Sequence, residues 1–245
     1  MLHLAWMINW STAADTGRPS VSFGGPAINK WYNTDQFIDW SVTDSGGNFT
    51  PTGVAGFSQA WDVDPADVYS EPTPGQGNFY YSGPQFPNKT FGCTDITGAL
   101  CTGASVGQGC HTVYVEAWDN MGFPSGTNTY GPICYDTVPP HTTDSLSGTL
   151  SGGTYTSAVT VTLHASDPAP GSGVASTTYQ VNGGSINGYS GPFLVTSAGL
   201  NKFTFYSTDV AGNVEGTESA SFSITSGTTT LTSSFELPEY TAVME

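Results

Sequence analysis

Short runs of alternating apolar and polar residues recur along the whole chain. The clearest are Val-Thr-Val-Thr-Leu at 159–163, Phe-Thr-Phe-Tyr-Ser at 203–207 and Ile-Asp-Trp-Ser-Val at 38–42. A period of two is typical of a half-buried β-strand. We find no apolar period of 3.6 residues sustained over two helical turns. Glycine pairs separate the runs at short spacing, so the pattern predicts an all-β protein of many short strands. Such pairs are Gly46-Gly47, Gly152-Gly153 and Gly183-Gly184.

The same motifs occur twice in the same order, which indicates two copies of one structural unit. Each copy begins with Asp-Thr and ends in a strand that runs into a glycine-centred turn. About seven short strands in 90–120 residues is the pattern of a β-sandwich. The matched segments are 15–19 with 136–140, 40–44 with 163–167, 53–55 with 173–175, and 112–119 with 203–209.

These matches divide the chain into predicted segments. The first unit spans 15–135 and contains a long insertion at about 62–109, and the second unit spans 136–225. Residues 1–14 are interpreted as a leader or as the remnant strand of a preceding repeat. The Ser/Thr-rich residues 226–245 are predicted to be a flexible tail.

Three motifs of the second unit carry a resemblance to a known family. They are Asp-Thr-Val-Pro-Pro at 136–140, Ser-Gly-Val at 172–174 and Asp-Val-Ala-Gly-Asn at 209–213. Together they resemble the tandem Ig-like repeats of bacterial and archaeal surface-exposed or secreted proteins. The resemblance implies two tandem immunoglobulin-like antiparallel β-sandwiches. It implies little about function, since this fold serves many.

The charge of the chain excludes several classes of function. Only four residues are Lys or Arg, against 20 Asp and Glu, and the net charge is −16. So few cations cannot neutralise nucleic-acid phosphates or attract an anionic membrane. No apolar run is long enough to span a bilayer. We therefore expect no nucleic-acid partner and no membrane insertion within this chain, whereas divalent cations are plausible partners.

All four cysteines lie in the first unit. A hairpin centred near Gly122 would place Cys110 opposite Cys134, at a separation that a disulfide can bridge. Cys93 and Cys101 would then close a small loop within the insertion. Zinc is the rival interpretation, but the spacings are long and contain no Cys-x-x-Cys. Two disulfides would place the protein in an oxidising compartment, extracellular or at the cell surface.

Calcium is the strongest candidate ligand, as a structural ion. Hard cations take several oxygen ligands, and loop ends of extracellular sandwiches supply them. The alternative is that these side chains only cap their own turns. The candidate ligands lie at predicted strand ends or at the junction of the units and are Asp44, Asp119, Asn120, Asp136, Asp167 and Asp209.

The insertion is rich in aromatic residues in a polar, Gly/Pro-rich setting. Exposed aromatic side chains can stack on sugars or bind a partner, but they can equally form a small core under a long loop. The candidate binding residues are Tyr69, Phe79, Tyr80, Tyr81 and Phe86. Asn48 and Asn88 begin Asn-x-Thr triplets, which are glycosylation acceptor patterns.

No catalytic motif stands out in the sequence. The four histidines are isolated from one another, and no nucleophile or metal-protease motif occurs. We therefore expect a non-catalytic extracellular Ig-like module, acting as a spacer, adhesion or fibre-forming part of a cell-surface protein. Its expected partners are other copies or neighbouring domains of that protein. The alternative is a polysaccharide-binding accessory module of a secreted hydrolase.

Overall fold

A computed structural model describes residues 16–47, 51–64, 89–95 and 107–225, with the backbone alone for 89–95. All elements in these ranges are β-strands, as the alternating pattern predicts. No helix in the described part of the chain has the length and apolar character needed to cross a bilayer. The predicted sites at Tyr69, Phe79, Tyr80, Tyr81, Phe86, Asn48, Asn88 and Cys101 lie outside the described residues, as does the side chain of Cys93.

The first sandwich contains two sheets. The smaller sheet has the order β1-β3-β5, and the larger has the order β2-β7-β6-β4. All pairs are antiparallel except β2 with β7, which is parallel. The strands are β1 (Ser20–Gly24), β2 (Trp31–Tyr32), β3 (Phe37–Thr43), β4 (Val54–Trp61), β5 (Lys89–Asp95), β6 (Gly109–Asp119) and β7 (Asn128–Tyr135).

Both sheets contribute side chains to one core. On β3, Ile38, Trp40 and Val42 are buried while Phe37 and Asp39 on the opposite face are exposed. The edge of the Trp40 ring faces Phe57 of the other sheet, with ring centroids 5.5 Å apart. Two sheets packed face to face over one core define a β-sandwich. The other buried apolar residues of this core are Val54, Val113, Val115, Ala117 and Ile133.

The second sandwich repeats this plan with short additional edge strands. Its sheets have the orders β14-β11-β8 and β13-β12-β15-β16-β10-β9, and β10 pairs with β16 in parallel, as β2 does with β7. The strands are β8 (His141–Ser147), β9 (Leu150–Ser151), β10 (Thr154–Tyr155), β11 (Val159–Ser166), β12 (Val174–Val181), β13 (Ile186–Gly188), β14 (Phe193–Val195), β15 (Gly199–Asp209) and β16 (Glu218–Ile224). Its core contains Val159, Val161, Leu163, Val195, Phe203, Phe205, Phe222 and Ile224.

The equivalence of the two sandwiches extends into the long insertion. β5 pairs with β3 in the first sandwich, just as β14 pairs with β11 in the second. Residues 89–95, which the sequence places inside the insertion, therefore supply a strand of the shared plan. The chain is an all-β protein of two tandem immunoglobulin-like sandwiches.

The described chain forms two compact units. The first compact unit contains the described residues among 16–141 with the segments Ser166–Ser176 and Ser207–Glu215, and the second contains Thr142–Ala165, Thr177–Tyr206 and residues 216–225. The acidic residues considered next all belong to the first unit, and the groove considered last belongs to the second.

Candidate functional site

Three of the predicted calcium ligands lie together. Asp136 follows β7, Asp167 follows β11, and Asp209 is the last residue of β15. One carboxylate oxygen from each lies within 4.8 Å of the others. Asp136 and Asp209 are almost fully buried, with 0% and 2% exposure. We call these three residues the Asp cluster.

Main-chain amides orient the carboxylate of Asp136. The amide N–H of Val138 donates to Asp136 Oδ1 at 3.0 Å, and that of Ser172 donates to Oδ2 at 2.7 Å. The first bond is a local turn of the Asp-Thr-Val-Pro-Pro motif, whereas the second ties this motif to the loop after β11. Such donors offset part of the free-energy cost of burying a carboxylate.

Asp209 is held by its own turn and by Asn213. Its Oδ1 accepts the amide N–H groups of Gly212 and Asn213 at 2.6 and 2.7 Å. The side-chain amide of Asn213 donates to Asp209 Oδ2 at 2.7 Å and to the carbonyl oxygen of Asp136 at 2.9 Å. The Asp-Val-Ala-Gly-Asn motif therefore folds around the carboxylate of Asp209 and connects it to the main chain of Asp136.

Asp167 differs from its two neighbours because one of its oxygens has no donor within the described part of the chain. Its Oδ2 accepts the amide N–H of Gly173 at 2.6 Å. Its Oδ1 is fully buried and has no hydrogen-bond partner among the described residues. Burial raises the pKa of Asp167, the nearby carboxylates of Asp136 and Asp209 raise it further, and the Gly173 amide opposes them.

Glycine at 171 is required by the close approach of the loop to Asp167. A Cβ at this position would lie 2.6 Å from Asp167 Oδ2 and 2.5 Å from the carbonyl oxygen of Pro168. These distances are too short for any side chain.

The sequence motifs located the loops, but Ser172 and Asn213 were not predicted as parts of the site. Their signal was their presence in the two motifs that carry the family resemblance.

The other predicted ligands are not part of the Asp cluster. Asp44 accepts the amide N–H groups of Gly46 and Gly53 at 3.0 and 2.7 Å. Asp119 accepts those of Met121 and Phe123 at 2.9 and 2.8 Å. Asn120 donates its side-chain amide to the carbonyl oxygen of Thr52 at 2.7 Å. The contacts of Asp44 with Gly46 and of Asp119 with Met121 and Phe123 lie within single turns. The contacts of Asp44 with Gly53 and of Asn120 with Thr52 join segments that are further apart in the sequence.

The predicted pair of Cys110 and Cys134 forms a disulfide in the structure. The two cysteines lie directly opposite each other in the antiparallel pair β6 and β7. The register of β6 against β7 shifts by one residue between His111 and Val113, and it is this shift that places Cys110 opposite Cys134.

His111 is not isolated, in contrast to the expectation from sequence. Its Nδ1 lies 2.6 Å from Asp62 Oδ2, and its Nε2 lies 3.3 Å from the carbonyl oxygen of Gln108. Asp62 Oδ1 also accepts the amide N–H of Thr112 at 2.9 Å. Sequence reasoning missed this pair because 49 residues separate the partners. The contacts join the end of β4 to β6 and are accounted for by that structural role.

No family model matches the chain, and no curated protein matches it. Several solved structures are similar to this chain, with low sequence identity and low TM-scores. Fibronectin(III)-like modules of CbhA from Clostridium thermocellum are 12% identical, with a TM-score of 0.32, covering 84% of this chain and 94% of that one. The D00-D0 domain of intimin is 15% identical, with a TM-score of 0.33, covering 84% and 100%. The Yersinia pseudotuberculosis adhesin InvE is 13% identical, with a TM-score of 0.29, covering 84% and 60%. Because these scores are low, the fold assignment depends on the sheets and cores of this chain.

Proposed function

We propose that this chain is a non-catalytic extracellular Ig-like module that acts as a spacer, adhesion or fibre-forming part of a cell-surface protein. The observation that carries the proposal is the Cys110–Cys134 disulfide across two paired strands of an Ig-like sandwich. Disulfides persist in oxidising compartments and are rare in the cytosol. The proposed partners are other copies or neighbouring domains of the same surface protein.

The composition supports an exposed position outside the cell. Charged residues make up 10% of the chain, against about 25% in ordinary soluble domains. The solvent-facing positions of strands such as β8 and β16 are instead occupied largely by Ser and Thr. A net charge of −16 keeps such modules soluble and limits unspecific binding to anionic surfaces.

Deletion of residues 16–225 from the natural protein tests this function. Intact cells of the source should bind an antibody against the chain, and cells with the deletion should lose attachment or surface-fibre assembly. Binding of the antibody only after the cells are permeabilised would contradict the proposal. A catalytic turnover assigned to the purified chain would contradict it equally.

We further propose that the Asp cluster holds a structural Ca²⁺ ion. Calcium–oxygen distances are about 2.3–2.6 Å, so two ligands of one ion can be at most about 5 Å apart. The carboxylate oxygens of the cluster meet this limit, at no more than 4.8 Å. The buried Asp167 Oδ1 has no hydrogen-bond partner among the described residues, and a bound cation would compensate for the free-energy cost of burying it.

Calcium is favoured over other metals by the ligand type. The cluster offers oxygen alone, which suits hard cations and not zinc or copper. Isothermal titration of the chelator-treated chain with Ca²⁺ and Mg²⁺ tests the proposal. We expect Ca²⁺ to bind with a dissociation constant of about 10⁻⁴–10⁻³ M, the range of extracellular modules. Absence of Ca²⁺ binding would overturn the metal site and leave the surface-module proposal intact.

A further inference from the structure

The outer face of the six-stranded sheet of the second unit carries a groove. It is an open trough of about 170 Å³ that crosses β13, β12 and β15 and reaches the start of β16. Its outward-facing lining residues are Thr178, Gln180, Ile186, Thr204, Tyr206 and Thr217. None of these six side chains carries a charge.

Strand alternation places these side chains on the solvent side of the sheet. Phe203 and Phe205 point into the core, so the alternating residues Thr204 and Tyr206 of the same strand face outward. On β12, Tyr179 packs against the core, so its neighbours Thr178 and Gln180 face outward.

The edge strand β13 extends the outer face of the sheet, and it leaves this face uncovered at Gly188, which has no side chain. Ile186 pairs with Gln180, and Gly188 pairs with Thr178. Directly opposite residues of a pair share a face of the sheet. Ile186 therefore lies on the outer face, where it is 65% exposed. A Cβ built on Gly188 would have no other atom within 4 Å, so the trough has free space beside this glycine.

The lining determines the chemistry of a ligand. Three threonine hydroxyls and one glutamine amide donate and accept hydrogen bonds, and Tyr206 and Ile186 add apolar area. The six lining side chains offer no charge to a charged ligand; Lys202 lies on the same face of β15, two residues from Thr204, but outside the lining. The net charge of −16 repels anions. The matching ligand is neutral, rich in hydroxyl groups and apolar on its ring faces.

We propose that this groove binds a neutral polysaccharide. The trough is smaller than the roughly 300–1,000 Å³ that enclose a drug-sized molecule, so it suits a short stretch of a long chain lying across the strands. The sugar rings lie against Tyr206 and Ile186, and their hydroxyls bond to the threonines and Gln180. The proposal goes beyond a spacer role, and it does not depend on the Asp cluster.

The experiment titrates the full chain with three neutral oligosaccharides, cellohexaose, xylohexaose and mannohexaose, at millimolar concentrations. Amide chemical shifts report where each one binds. Two variants change the groove: Tyr206→Ala removes the ring, and Gly188→Leu fills the free space without a backbone conflict. Leu200→Ala is the control, because Leu200 is an apolar residue on the same face of β15, 74% exposed and six residues from Tyr206.

We expect one oligosaccharide to shift the amide signals of Thr178, Thr204 and Tyr206, with the same affinity at low and high salt. Each groove variant should weaken binding about tenfold or more, and Leu200→Ala should not. The proposal is overturned if none of the three shifts these signals, if binding survives Gly188→Leu, or if the shifts map outside the groove. It is also overturned if concentration-dependent shifts without sugar show that the groove is a contact between copies of the chain.

Discussion

Replacing Asp167 by Asn should stabilise the protein in chelator and strongly reduce its response to calcium. The substitution removes one negative charge from the Asp cluster while keeping an oxygen that can accept the amide N–H of Gly173. In the absence of a cation, the folded chain holds three carboxylates close together, which costs free energy. In the presence of Ca²⁺, the same three carboxylates are ligands, and losing one weakens binding.

The structure sets the size of this effect. Two unit charges 4.8 Å apart repel by about 3.5 kcal/mol at an effective dielectric constant of about 20. Asp167 faces two such neighbours, but it is only partly buried and solvent screens much of the repulsion. We expect a net gain of about 1–2 kcal/mol in the free energy of unfolding, which raises Tm by about 2–8 °C.

The pH dependence has a defined sign. Because burial and the neighbouring carboxylates raise the pKa of Asp167, the folded state keeps this proton to a higher pH than the unfolded state. The stability from this group is fully present below its ordinary pKa of 3.8 and is lost as the pH rises through the folded value. The advantage of Asp167→Asn should therefore vanish in acid and grow toward neutral pH.

Differential scanning calorimetry measures both effects. In chelator, Asp167→Asn should melt above the wild type, and in about 10 mM Ca²⁺ the wild type should gain about 1.4–2.7 kcal/mol, about 3–10 °C, while the variant gains little. Asp35→Asn, a change at an exposed carboxylate of a loop, is the control and should alter neither value. A variant that melts below the wild type in chelator, or that keeps the full calcium shift, would refute the reasoning.

Three further substitutions test the contributions of the disulfide, of a buried asparagine and of a buried glutamate to stability. Cys110→Ser opens a loop between cysteines 24 residues apart, and urea titration should show a loss of about 3.5 kcal/mol relative to the oxidised wild type. Asn201→Ala removes a 1% exposed side chain that bonds the main chain of Ser197 and the side chain of Asn182, and the same titration should show a loss of about 3 kcal/mol. Burial raises the pKa of Glu116, and the charge of Asp64 raises it further. Glu116→Gln should therefore raise Tm at neutral pH and have little effect on Tm well below pH 4.5. Calorimetry across this pH range measures both outcomes.

Much of the fold was predictable because the strands alternate. The apolar residues of β3, β11 and β15 became core residues on the face that the alternation assigned. The Cys110–Cys134 pair was predictable because both cysteines lie twelve residues from Gly122 at the centre of the hairpin, although the register shift between His111 and Val113 had no sequence signal. β5 was not predicted as a strand, since its pairing with β3 joins segments separated by a long, atypical stretch.

The site was only partly predictable, for a physical reason. The sequence identified six candidate ligands at strand ends, but every Asp at a strand end can cap its own turn. Only the folded chain shows that Asp136, Asp167 and Asp209 converge, whereas Asp44 and Asp119 accept nearby backbone amides. The groove on the six-stranded sheet had no sequence signal, because alternating Thr and Tyr on an outer face is ordinary for an exposed strand.

Brief protease treatment of intact cells of the source, followed by peptide mass spectrometry without reduction, tests the central claim most directly. An extracellular Ig-like module should be released from the surface, with Cys110 and Cys134 recovered as one cross-linked peptide pair. Recovery of both cysteines as free thiols, and only after the cells are lysed, would contradict the account.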